Sequence, residues 1–278
     1  MKDDIKTHWD QNPMNYIDNK HEFSINDLTK DYFAQIDSIF YKKAFFAQES
    51  EAPLFSNIIN YSSLEGKNVL VIGCGLGSIT EQLVNSAAHV TAIDLSNTSI
   101  EATRKRLSMI GKKNWKVMRI DAEKMEFQDK TFDFVWSWGV IHHTPKTELI
   151  VNKVHSMLKP GGKFCMMVYH RRSFHYWYKI ILKNGILKGR LLKMSHQELL
   201  NYCSDRHVPL AQYFSRKKLN KFFISYRSVN HKTFEPRQMI VGYAPKILRS
   251  FFDKHFSKKI MSKLFSRYGH MIYVEAVK

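Results

Sequence analysis

Short apolar runs, each closed by a glycine or a carboxylate, recur along the middle of the chain. Val69-Leu70-Val71-Ile72 has no polar interruption, as a strand buried on both faces requires, and runs into Gly73-Cys74-Gly75-Leu76-Gly77. A second strand, His89 to Ile93, ends at Asp94, and a third, Trp115 to Ile120, stops at Asp121-Ala122-Glu123. Phe132 to Trp138 makes a fourth. Leu158-Lys159-Pro160-Gly161-Gly162 carries the Pro-Gly pair that ends a helix before a fifth. Helical spacing takes over outside this region. Phe33, Ile36, Phe40 and Ala44 share one helical face, and Pro53 opens a further helix. Phe174, Trp177, Tyr178 and Ile181 follow the i, i+3, i+4, i+7 rule for a buried helical face. Gly185 and Gly189 then interrupt, Ser195-His196-Gln197-Glu198 has capping-box form, and Ser215 precedes a helix over 216–223. Pro245 to Phe252 begins a basic amphipathic helix, with membrane-surface contact as the alternative to ordinary packing.

The glycine loop gives the pattern its first chemistry. Glycines reach φ > 0 and let bare backbone approach a ligand, and a carboxylate such as Asp94 can accept hydrogen bonds from both hydroxyls of a ribose. The loop therefore reads as a nucleoside site. A dinucleotide fingerprint G-x-G-x-x-G needs its third glycine at position 78, which is Ser78. The spacing present is G-x-G-x-G.

That spacing, the acidic end of the second strand, the Asp121-Ala122-Glu123 stop, the turn Gly139-Val140-Ile141-His142-His143-Thr144-Pro145 and the Leu158 to Phe164 segment occur in order. Together they resemble the class I S-adenosylmethionine-dependent methyltransferases, and the turn resembles the ubiquinone and menaquinone biosynthesis branch. The resemblance implies a Rossmann-like seven-stranded mixed sheet, with Gly269 to Lys278 supplying an antiparallel last strand beside the fifth. It implies S-adenosylmethionine as cofactor, held by Gly73, Cys74, Gly75, Gly77, Asp94, Leu95, Asp121, Ala122, Ser137 and Trp138, with Asp121 near the adenine amino group. The expected organisation is an N-terminal helical cap (1–66), a cofactor-binding core (67–170), a lid insertion (171–214) and the end of the sheet (215–278) with a basic helical elaboration (232–268). Trp9, Tyr16, Phe33, Tyr169 and His170 are candidates for the acceptor pocket. His142 and His143, just past the fourth strand, are candidates for the base that removes an acceptor proton, with Asp10, His170 and Tyr169 as competitors. Adjacent histidines seldom converge on one ion, so no metal is expected.

Charge alters the choice of partner. The chain is 278 residues with a net charge of +18, and the whole excess lies in residues 169–278, where 23 lysines and arginines face 5 acids. Basic residues interleaved with aromatic ones suit RNA, an anionic membrane surface or an acidic small substrate. The first reading is a small-molecule methyltransferase, methylating oxygen by in-line displacement. The alternatives are a tRNA methyltransferase gripping phosphates, which the lack of an Asn/Asp-Pro-Pro-Tyr type motif at Ser137-Trp138-Gly139 counts against, and a nicotinamide-dependent oxidoreductase, which Ser78 counts against. Three scattered cysteines offer neither a disulfide framework nor zinc spacing. No apolar run reaches the roughly 20 residues of a membrane span and Met1 to Lys6 lacks the core of a signal peptide, so a soluble, cytoplasmic protein is expected. The acceptor and the oligomeric state stay open.

Overall fold

The computed structural model describes residues 2–14, 28–43, 53–204, 207–234 and 267–278. Its centre is one mixed sheet built from β1 (Asn68–Ile72), β2 (His89–Asp94), β3 (Trp115–Arg119), β4 (Phe132–Trp138), β5 (Leu158–His170), β7 (Ser228–Phe234) and β8 (Met271–Val277), in the order β3-β2-β1-β4-β5-β8-β7. The first five are mutually parallel, and β8 enters antiparallel between β5 and β7. An eighth strand, β6 (Tyr213–Phe214), pairs with Tyr169 and His170 at the end of β5, beyond the point where β4 turns away.

β1 explains why its sequence is unbroken by polar residues. Leu70 and Ile72 pack into one core layer with Ile150, Val154 and Phe164, and Val69 and Val71 pack into the opposite layer with Leu83, Val90 and Trp136. Alternate side chains of a strand face opposite sides, so both faces must be apolar. Each such side chain contributes about 1.5–3 kcal/mol by burial. Helices α3 (Ser78–Asn85), α4 (Asn97–Ser108) and α5 (Thr147–Met157) make the crossovers. At the N-terminus, α1 (Lys2–Gln11) rests on α4, and α2 (Lys30–Lys43) is clamped through buried Arg106, which pairs with Asp37 and Glu81.

The segment after β5 departs from the helical spacing. Residues His175–Leu187 form a π-helix, whose i→i+5 bonds bring residues four or five apart onto one face. His175, Tyr176, Ile180 and Gly185 are the buried set, whereas Phe174 and Trp177 are exposed. A Cβ on Gly185 would stand 2.8 Å from Leu191 Cδ1, so Leu191 packs directly on the helix backbone there and would have to shift for any side chain. Gly189, at φ 64, does end the segment. Further on, α6 (His196–Cys203) starts with the expected capping box on Ser195, and α7 (Arg216–Phe222) is capped by Ser215. Pro53 opens a turn over 54–58 rather than a helix. The Pro245 to Phe252 helix and Ala44 lie outside the described residues.

Candidate active site

Five strand ends converge on one cavity of about 350 Å³, at the carboxyl edge of the sheet where α/β folds hold ligands. The glycine loop forms its floor. Gly73, at φ 81, has no room for a side chain, since a Cβ would lie 2.2 Å from Val140. Gly75, at φ 54, has nothing within 4 Å of a Cβ position, so its backbone stands open. Gly77 is the left-handed cap of α3, hemmed by Thr103 and Arg106, and does not line the cavity. Ser78 accepts a hydrogen bond from Arg106 at 3.2 Å, a contact that a third glycine would remove.

Asp94 closes β2 with its carboxylate partly buried in the cavity wall. The amide of Gly75 donates to Oδ2 at 3.0 Å, and the amide of Ser96 donates to Oδ1 at 2.9 Å. The two oxygens of an ionised carboxylate have about four acceptor sites between them, so these backbone donors leave capacity for a further donor. Burial raises the Asp94 pKa, opposed by the three backbone donors Ser96, Gly75 and Leu95. Leu95, Asp121 and Ala122 line the same end. Lys2 of α1 reaches across to Asp121 at 3.1 Å and pairs with Glu123. Cys74 also lines the cavity, but burial pushes its thiol well above the ordinary range, so it offers no reactive thiolate.

The other end is aromatic. Trp138, Trp136 and Phe55 line it, with Phe55 4.3 Å from Trp138 between ring centroids. Phe55 sits at φ 62, a left-handed conformation that costs a bulky residue about 1–2 kcal/mol. Sequence reasoning missed it, because nothing in the local pattern marks a strained turn. Beyond lie Trp9, Met14, His143, Tyr169 and His270. The Trp9 and His143 rings are 5.3 Å apart. His143 Nδ1 donates to the Leu210 carbonyl at 2.7 Å, which in the neutral ring puts the lone pair on Nε2. Gln212 donates its backbone amide to the His142 carbonyl at 2.9 Å, so the segment before β6 is tied directly to this turn.

Several expected site residues fall elsewhere, each for a geometric reason. His142 is fully buried and does not line the cavity: in the 3₁₀ turn 141–143 its ring packs behind those of His143 and Tyr169, at 4.1 and 4.0 Å between centroids, and these two stand between it and the cavity. Burial, with His143 and His270 nearby, drives its pKa well below the imidazole range. Ser137 and His170 each follow or precede a cavity residue along a strand and so point away from it. His170 instead donates from Nδ1 to the Gly269 carbonyl at 2.8 Å. Phe33 packs with Leu28, Leu76 and Ala102 outside the cavity, and Phe40, two turns along α2, lines it instead. Tyr16 lies outside the described residues.

A methyltransferase domain model matches residues 70–166. A ubiquinone biosynthesis O-methyltransferase of Nitrosococcus oceani is 31% identical over 125 residues, 45% of this chain and 52% of that protein. A probable tRNA methyltransferase 9B of Mus musculus is 27% identical over 194 residues, 67% of this chain and 39% of that one. The chain spans about half the length, or less, of the curated relatives it matches. Among solved structures, phosphoethanolamine N-methyltransferase 2 of Haemonchus contortus in complex with S-adenosyl-L-methionine superposes with a TM-score of 0.56 at 17% identity. That match covers 99% of this chain and 60% of that one. The match of residues 70–166 to a methyltransferase domain, with the strand order, the glycine loop and the acidic strand ends, makes the chain similar to the class I S-adenosylmethionine-dependent methyltransferases, the ubiquinone biosynthesis branch among them.

Proposed function

We propose that the protein binds S-adenosylmethionine in this cavity and transfers its methyl group to the oxygen of a small-molecule acceptor. The observation that carries this reading is the continuity of one cavity from Asp94 and Asp121 to His143 and Tyr169. The remaining acceptor capacity of Asp94 suits a ribose hydroxyl, and the side-chain-free face of Gly75 suits close approach of the ligand. The cofactor supplies an activated methyl on a sulfonium. The residues then align and shield the acceptor, work that can lower a bimolecular barrier by about 7–11 kcal/mol at best. Nε2 of His143, its tautomer set by Leu210, is the group placed to take the acceptor's proton, and Trp9 and Trp138 exclude water.

Calorimetry with S-adenosylmethionine and NAD tests the cofactor. Asp94→Asn, which loses an anionic acceptor, is expected to weaken S-adenosylmethionine binding by about 1.5–3 kcal/mol, or ten- to a hundredfold. Heat with NAD alone, or unchanged affinity in the variant, would sink the reading. The relative named for tRNA, aligned over 67% of this chain, favours RNA as a second acceptor. Labelled methyl appearing in tRNA and in no small molecule would establish it instead.

A further inference from the structure

The insertion turns an unusual amount of apolar surface outward. On the π-helix and the turn after it, Trp177 is 57% exposed, Ile186 59%, Leu187 73% and Leu192 91%. Leu182 adds to the same outer side, five residues after Trp177 and four before Ile186. These side chains lie away from the set that holds the helix to the protein, His175, Tyr176, Ile180 and Gly185. Isolated exposed leucines are ordinary, but a contiguous group of this size marks an interaction surface.

Charge specifies the partner. Residues 171–193 contain seven lysines and arginines and no aspartate or glutamate. Lys183, Lys188 and Lys193 are exposed within the apolar group. Phosphates of a nucleic acid would satisfy the lysines but leave four large aliphatic chains in water. A protein partner would satisfy the aliphatics without requiring a segment free of acids. An anionic bilayer surface satisfies both, taking the aliphatic and indole groups into the acyl boundary and the ammonium groups among its headgroups. We propose that this outer face of residues 174–193 docks on anionic lipid membranes. The buried side of this helix, Tyr176 and Ile180, packs with Ala211, Tyr213 and the cavity residue Tyr169, next to the Leu210 and Gln212 contacts to the 141–143 turn, so an apolar acceptor dissolved in the bilayer would meet the site there.

Co-sedimentation with vesicles tests this without cofactor or acceptor, so its failure is separate from any failure of the methyl-transfer reading. The full chain is expected to bind vesicles of phosphatidylcholine mixed with phosphatidylglycerol, and not phosphatidylcholine alone. Trp177→Ser with Leu187→Ser, both exposed and expected to leave the thermal midpoint unchanged, should weaken partition by about tenfold or more. Lys183→Glu with Lys188→Glu should do the same, with the residual binding less sensitive to salt. Equal binding by both double variants and the parent overturns the proposal. So does tRNA binding that the lysine variant abolishes while vesicles go unbound, or a dimer on sizing chromatography that the Trp177 and Leu187 changes dissociate while vesicles go unbound.

Discussion

Adjacent residues can have unlike fates, and His142 and His143 show why. A 3₁₀ turn carries one ring into the core among Tyr169 and His143 and turns the other to the cavity. His143→Gln keeps a side-chain donor near Leu210 but has no basic nitrogen. It is expected to lower kcat by about 10²- to 10⁴-fold with cofactor affinity unchanged, measured by single-turnover transfer alongside calorimetry. A loss of affinity equal to the loss of rate would make His143 a packing residue. The sequence could place both histidines past the fourth strand, because strand order is written in apolar runs. It could not say which one faces the cavity, since that depends on a half-turn whose hydrogen bonds involve Leu210 and Gln212, nearly seventy residues away. Phe55 is hidden for a similar reason: its place opposite Trp138 depends on a strained φ, not on spacing.

Elements show the same division between local signals and distant ones. The strands, the Ser195 and Ser215 caps and the antiparallel β8 were legible, because alternation, capping side chains and glycine turns act within a few residues. The π-helix was not, since an i, i+3, i+4 rule presumes the α period and aims Trp177 inward. Nor could spacing reveal how α1 is held. Asp10 Oδ1 accepts the Asn97 amide at 2.6 Å, its carbonyl accepts from Thr98 at 2.8 Å, and the Trp9 carbonyl accepts from Ser96 at 3.2 Å. Asn97 is the first residue of α4, whose amide has no partner within its own helix. Asp10→Ala should therefore cost about 1 kcal/mol locally, the size of a lost helix cap. Amide exchange across residues 2–11 is expected to quicken about fivefold while that of β1 is unchanged. No change in exchange over α1 would mean that Lys2 and the Ser96 contact suffice to hold it.

Across the whole molecule, buried imidazoles gather where the π-helix, β5 and the start of β8 meet. His142 touches His143 and Tyr169, His175 lies 4.0 Å from His270 between ring centroids, and Tyr169 lies 4.9 Å from His270. Burial first, then the neighbouring histidines and, for His175, Lys179, hold both His142 and His175 well below the ordinary imidazole pKa. No carboxylate is among the groups that shift them. In the unfolded chain both titrate near 6.5, so below that pH the unfolded state binds more protons than the folded one. Their contribution is therefore full above about pH 6.5 and is lost as the pH falls, by about 1.4 kcal/mol per pH unit for each ring until its folded pKa is reached. Other groups titrate in the same range, so the decisive quantity is a difference between proteins. His142→Phe keeps a planar ring and removes one proton site. Its unfolding free energy in urea should fall less steeply between pH 6.5 and 5 than that of the parent, by about one proton's worth of slope. Parallel pH profiles for the two proteins would mean that His142 already finds a way to charge within the fold, against the burial that surrounds it.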